Sequence, residues 1–318
     1  MNLTTPWWIR IPGLLACGFI GTSGQWSGSP AEAAGSWVEA STIEAPRIEG
    51  VIVEDPVTEG RTRDSALRDD ARVIAFVRAY DSLIDSVSYR DDDVVFTIAG
   101  RAIHFQDGRM LAEENLDRRE RCDPIFYRYS LEPLTEPITP SDKAVRFCTD
   151  LQEVLWGRTE DQIRAHARST TFLDRRMFLN DLAVHALGEV ERDILAISST
   201  DPAVASWIDQ VDITYSFINR GIAGTSTRSQ HAWGLAVDLV PNSYEGRQVY
   251  WRWTRAWNRS GWHRIPLEQR WSPPEAVVEI FERHGFLWGG KWAHFDNIHF
   301  EYRPEILEYN RLIEADGP

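Results

Sequence analysis

The sequence predicts an α+β chain, with a small antiparallel sheet flanked by helices in its C-terminal half and a smaller helical and β-hairpin region before it. Apolar residues repeat at helical spacing over two stretches, near 64–87 and 174–197. Short runs rich in β-formers lie at 94–98, 102–105, 213–215 and 235–240. No internal repeat organises the chain. A hydrophobic content of 43% over 318 residues supplies apolar material for one large domain or two modest ones.

Taken in order, residues 11–20 form a short apolar run after Arg10, followed by a Gly/Ser/Ala-rich stretch. The run is shorter than the roughly 20 apolar residues a bilayer span needs, and it fits an export signal. Leu14-Leu15-Ala16-Cys17 resembles a lipoprotein processing site, which would attach the chain to a membrane through lipidated Cys17. A signal cut near Ala31-Glu32-Ala33 is the other reading. Residues 34–62, rich in Glu, Pro and Gly, read as a tether. In the first helical stretch Val73, Phe76, Val77, Tyr80, Leu83 and Ile84 share a face. The runs 94–98 and 102–105 flank Ala99-Gly100-Arg101, a hairpin, with Asp107-Gly108 as the next turn. Residues 112–150 are charged and Pro-containing and give no pattern. Cys122 and Cys148, 26 positions apart, either pair in an oxidising compartment or stay apart as buried thiols.

The second helical stretch carries Leu179, Leu182, Ala186, Val190 and Ile194 on one stripe. Asp201-Pro202 opens a shorter helix, and Ile213-Thr214-Tyr215 reads as a strand. Ser272-Pro273-Pro274-Glu275 reads as a capped helix start with Ser272 as the cap, and His284-Gly285 as its stop. These elements divide the chain at 1–33, 34–62, 63–170 and 171–318.

The formal net charge is −14, and no long Lys/Arg run is present, which sets aside a nucleic-acid partner. Eight of the fourteen Trp residues fall between Trp233 and Trp292, as core packing or as substrate walls. The segment 229–239 contains His231 and Asp238, residue types that suit zinc. Seven extended residues span roughly 23 Å, whereas two atoms bound to one zinc lie about 3 Å apart, given bonds near 2.0–2.1 Å. The chain must therefore turn back between them, and Gly234 is the residue free to do so. Leu235–Val240 then reads as a buried strand carrying one acid, Asp238, which needs a cation or donors. In 294–301, Asp296 and His299 sit three apart, a spacing that puts both on one side of a tight turn. His294 is out of register with His299 and reads as no ligand.

The pattern Ser-x-His-x-x-Gly-x-Ala-x-Asp from Ser229, followed by Asp-x-x-His-Phe-Glu from Asp296, resembles a family of zinc peptidases. These are the D-alanyl-D-alanine carboxypeptidases and L-alanyl-D-glutamate endopeptidases, which include VanY-like enzymes and phage endolysins. Asn219–Thr225 and Gly285–Trp292 extend the resemblance, which covers about residues 175–310. It implies a zinc peptidase domain at 171–318, zinc on His231, Asp238 and His299, Asp296 as general base, and Arg220 holding a polarised carbonyl or substrate carboxylate. It implies peptidoglycan stem peptides as substrate and an extracytoplasmic location. The 294–301 motif leans toward the L-alanyl-D-glutamate bond, with terminal D-Ala as the alternative. Ser229, Trp233, Trp288 and Glu301 stand as candidates for substrate contact or for support of the ligands. A cell-wall module that binds zinc and stem peptides without turnover is the competing reading, opposed by the intact Asp296.

Overall fold

A computed structural model describes residues 52–54, 67–90, 92–141, 145–218, 221 and 227–315. The export segment with Cys17, and Arg220, lie outside the described residues. The described residues before 130 contain one sheet in the order β1-β2-β3-β4-β5: β1 Ile52–Glu54, β2 Ile84–Arg90, β3 Asp93–Ile98, β4 Arg101–Gln106 and β5 Arg109–Ala112. From β2 to β5 it is an antiparallel meander. The expected hairpin is its centre, turned at Ala99 (φ 50°) and Gly100 (φ 70°), and the next turn falls at Asp107 and Gly108 (φ 49° and 76°). Positive φ at both central residues suits the twist of the flanking strands.

Two expectations change here. The tether assigned to 34–62 contains β1, which adds a parallel edge to β2 through Ile52↔Ser86 and Glu54↔Ser88. The first helix, α1 Ala71–Tyr80, is shorter than the 64–87 stretch that predicted it. Asp70 caps its start by accepting from Arg72 N at 2.8 Å. Beyond Tyr80 the chain enters β2, because pairing with β3 satisfies the same apolar residues and the backbone together.

The unpatterned 112–150 stretch folds back as a 3-10 segment, Glu113–Arg121, and an irregular run held by a Cys122–Cys148 disulfide, whose Cα atoms are 5.3 Å apart. Helices α2 Asp150–Trp156 and α3 Glu160–Ala165 follow. Next comes the hairpin of β6 Ala167–Phe172 and β7 Arg175–Asn180, which replaces the start of the expected 174–197 helix. Leu173 and Asp174 both take positive φ (47° and 63°), giving a tight turn. Leu179 therefore belongs to β7, and the helix, α4 Asp181–Ser198, starts where the Asn180 side chain accepts from Leu182 N. A two-residue period over Met177 and Leu179 wins because the partner strand is only a turn away.

Asp201 caps α5 Pro202–Gln210, which leads into β8 Val211–Tyr215. The second sheet is antiparallel in the order β10-β11-β9-β8, with β9 Ala236–Pro241, β10 Phe286–Trp288 and β11 His299–Tyr302. Between β9 and β10 lie α6 Trp251–Trp257 and α7 Glu275–Arg283. The cap expected at Ser272 is absent: α7 starts after Pro274 with no side-chain cap, and the Ser272 hydroxyl instead accepts from Asn297 Nδ2 at 3.0 Å. Gly285 (φ 91°) ends α7 as expected. The last helix is α8 Pro304–Ala315.

Two apolar cores result. Val237, Leu239 and Phe300 point from the second sheet into one, where Phe300 stacks on Phe281 of α7 at 4.0 Å between centroids. The other joins Phe76, Phe96 and Phe105 of the N-terminal half to Leu287, Ile306 and Leu307 of the C-terminal half. The described residues belong to one compact unit, Ile48–Pro318. Among them no helix is long and apolar enough to cross a membrane.

Candidate metal centre

His231, Asp238 and His299 come together although the chain separates them by up to 68 positions. Each offers one ligand atom, and these atoms all lie within 4.8 Å of one another in a buried position. Sheet register explains half of this. Asp238 on β9 and His299 on β11 are directly paired neighbours, so their side chains rise from the same face. Alternation sends the flanking Val237, Leu239 and Phe300 the other way, into the core.

His231 reaches the same face by the expected reversal. It sits in a single 3-10 turn, Gln230–Trp233, whose cap Ser229 accepts from His231 N at 3.4 Å. Gly234 then adopts the left-handed conformation (φ 69°, ψ 27°) and turns the chain into β9. A Cβ here would lie 2.7 Å from Asn180 N, so the position excludes a side chain on two counts.

The outer nitrogen of each histidine is engaged. His231 Nδ1 donates to the Ser216 carbonyl at 2.7 Å, and His299 Nε2 donates to Glu301 Oε2 at 3.4 Å. The inner nitrogens, His231 Nε2 and His299 Nδ1, both face Asp238 Oδ1, at 3.1 and 2.8 Å. With neutral rings these are two lone pairs and a carboxylate oxygen converging on one point, an arrangement that calls for a proton or a cation. Two imidazole nitrogens and one carboxylate are a donor set that fits zinc and leaves room for a fourth ligand.

The proton affinities express the same convergence. Burial opposes a charge on His299, but hydrogen bonds to Asp238 and Glu301 override it and push its pKa up to about 10. Burial likewise opposes the Asp238 carboxylate, and the two histidines still hold it well below the usual carboxylate range. Glu301 follows the same balance: burial raises it, while His299 and Arg303 bring it below the usual range.

Asp296 is half-buried in the turn that leads to β11, where the His299 amide donates to its carbonyl at 3.2 Å. Its charge acts on both His299 and Tyr244. The turn is braced from beneath: Asp296 N donates to Gly289 O at 3.0 Å, and the Trp288 indole donates to Asn297 O at 3.0 Å. Gly289 lies so close that a Cβ would meet Asp296 O at 2.6 Å.

The remaining sequence candidates divide. Ser229 and Glu301 support the two histidines directly. Trp288, 8% exposed, braces the Asp296 turn. Trp233 does neither: it is 1% exposed in the core, with its indole donating to Gly157 O, because its turn needs an apolar anchor there. The tryptophan at the site is Trp292, with its ring centroid 5.4 Å from that of His299. His294 is exposed and packs against Trp251 and Trp262, and it is not among the converging ligand atoms.

Sequence reading missed the support behind Glu301. Arg303 bridges Glu301 at 3.4 Å and Glu305 at 2.5 Å, and Glu305, with no exposed surface, accepts from the Tyr80 hydroxyl of α1 at 2.9 Å. The alternate spacing of Glu301, Arg303 and Glu305 is a signal that sequence could offer. Tyr80, 225 positions from Glu305, leaves none. Tyr244 was also missed, and burial together with the charges of Asp296 and Asp238 raises its pKa.

Residues 223–302 match the family model described as D-alanyl-D-alanine carboxypeptidase. No curated protein and no solved structure matches the chain. The matched segment begins after the Asn219–Gly221 stretch and ends within β11, so it takes in both histidines, Asp238 and Asp296 but neither Arg303 nor Tyr80. The segment that builds this centre is thus similar to the D-alanyl-D-alanine carboxypeptidase family over residues 223–302.

Proposed function

We propose that this chain is a peptidase that uses zinc held by His231, Asp238 and His299, and that it hydrolyses a peptide bond in the stem peptides of bacterial peptidoglycan, outside the cytoplasm. The observation that carries the zinc reading is the convergence of three buried acceptor atoms, with the outer nitrogen of each histidine already occupied. Bound zinc would supply Lewis acidity, polarising the scissile carbonyl and making water acidic enough to attack at neutral pH.

The chain's own residues do the rest. Asp296, as carboxylate, takes a proton from the attacking water and returns it to the leaving amine. Ser216 and Glu301 keep the two histidines in the tautomers that aim their free nitrogens inward. Trp292 covers one side of His299 and limits water around it. Arg220, outside the described residues, is assigned to negative charge on the substrate. The family description supports removal of a terminal D-Ala, and cleavage between L-Ala and D-Glu is the other outcome.

The test joins metal analysis to product identification. Protein purified without added metal is expected to carry one zinc, which His231→Ala loses. Asp296→Asn is expected to retain zinc and lose roughly 10²–10⁴-fold in rate. Mass spectrometry of digested muropeptides identifies the bond. Unchanged zinc in single Ala variants of all three ligands would reject the metal assignment. Zinc binding without release of any amine from peptidoglycan would favour a binding module over a peptidase.

A further inference from the structure

The chain is acidic overall, with a formal charge of −14, yet one face of α6 is basic. Arg252, Arg255 and Arg259 follow one another at three- and four-residue spacing, which puts them on one side of the helix and its extension. Together with Trp251 and Ala256 they line an open pocket of about 630 Å³. Trp251 packs beneath the guanidinium groups of Arg252 and Arg255, at 5.0 and 6.0 Å from its ring centroid. Among the described residues neither Arg255 nor Arg259 forms an ion pair with a carboxylate. Trp253 and Trp257, 52% and 62% exposed, stand on the same short helix.

The pocket adjoins the proposed general base. Tyr250 forms an isolated antiparallel bridge with Asp296, and the Trp251 amide donates to Phe295 O at 3.0 Å. His294, two positions before Asp296, has its ring centroid 4.6 Å from that of Trp251. Burial lowers the pKa of His294, and the positive charges of Arg255 and Arg252 lower it further. Trp251, which lines the pocket, is thus hydrogen-bonded to the residue next to Asp296, and an extended peptide advances about 3.3–3.6 Å per residue along such a path.

We propose that the Arg252–Arg255–Arg259 pocket is a subsite for an acidic peptide, binding carboxylates of the substrate that lie outside the scissile bond. Guanidinium groups pair with carboxylates through two parallel hydrogen bonds, and exposed indoles supply an apolar wall for the peptide between them. The chain's net negative charge disfavours carboxylates in general, so a cluster of arginines is where they would be held. The subsite rests on the peptidase reading for its place in catalysis, although its binding chemistry does not.

The experiment uses the full chain, zinc-loaded, in an Asp296→Asn background that slows cleavage. Two synthetic pentapeptides, L-Ala-γ-D-Glu-L-Lys-D-Ala-D-Ala with its D-Glu carboxylate free or amidated, are titrated calorimetrically at low salt. The free acid is expected to bind roughly tenfold more tightly than the amide, and Arg255→Gln with Arg259→Gln to erase that difference. A preference that survives in the double variant, or no binding of the free acid at all, overturns the subsite. Cleavage by the unmutated chain is followed separately by mass spectrometry. A chain that prefers the free acid, loses that preference in the double variant, and cuts neither peptide rejects the peptidase reading and leaves the subsite standing.

Discussion

At the scale of single residues, His299 is the side chain whose chemistry is most altered by its position. It donates to Glu301 on one side and to Asp238 on the other, and its pKa is about 10 when only the protein surrounds it. A proton held more tightly in the folded than in the unfolded chain stabilises the metal-free fold fully below the ordinary histidine pKa of about 6.5. That stabilisation is lost as pH rises through about 10. A metal ion occupying the same nitrogen must displace the proton. Zinc binding at pH 8 is therefore expected to release about one proton from His299, seen as a dependence of the calorimetric heat on the buffer's ionisation enthalpy. Glu301→Gln removes one carboxylate that holds the proton, and it is expected to reduce the release and weaken zinc affinity by roughly 10- to 100-fold. Buffer-independent heats would show that His299 is already neutral before the metal arrives.

At the scale of elements, the site depends on one turn and one register. Pairing of Asp238 with His299 follows from the β9–β11 ladder, and a slip of one residue would put Val237 or Phe300 on the site face. Gly234 sets the approach of His231 to that ladder, and its amide donates to His231 O at 3.1 Å while its carbonyl accepts from Asn180 N at 2.9 Å. The α4 N-terminus and the ligand turn are thereby fastened together. Gly234→Ala meets both a left-handed backbone and a contact of 2.7 Å to backbone. The backbone conformation alone costs about 1–3 kcal/mol. Urea unfolding is expected to show a loss of that size or larger, with weaker zinc binding in the fraction that remains folded. A variant as stable as the parent would mean that the turn relaxes freely, against the packing seen here.

At the scale of the whole molecule, the region before residue 130 and the metal centre share buried structure. The line from His299 through Glu301, Arg303 and Glu305 ends on Tyr80 in α1. A second buried link runs from Tyr129 to Glu282 and Lys291, with Lys291 also donating to the Ser130 and Leu131 carbonyls. Leu287, Ile306 and Leu307 complete the core of the N-terminal half. A chain of residues 171–318 alone would expose those apolar side chains and strip Glu305 and Glu282 of their tyrosine partners. Each such loss from a buried carboxylate costs about 1–3 kcal/mol or more. This shortened chain is expected to lack a cooperative thermal transition and to bind zinc more weakly than the full chain. Cooperative unfolding with unchanged zinc affinity would show that the N-terminal region is dispensable to the centre.

The sequence by itself determined the local features: the turn at Gly234, the single acid on a buried strand, the three-residue step from Asp296 to His299, and the resemblance that named the ligands. These are legible because each depends on residues a few positions apart, where glycine φ, strand alternation and turn geometry act directly. Only the tertiary structure decided the rest. The first and second predicted helices each lost an end to a strand, since pairing with a partner strand satisfied the backbone as well as the apolar side chains. Trp233 went to the core and Trp292 to the site, a choice that sequence spacing does not encode. The Tyr80–Glu305 contact joins residues 225 positions apart, and no local signal records it. Partners of that kind are set by which surfaces meet when the two cores close, because burial leaves a charged or polar group no alternative to whatever donor the opposite wall provides.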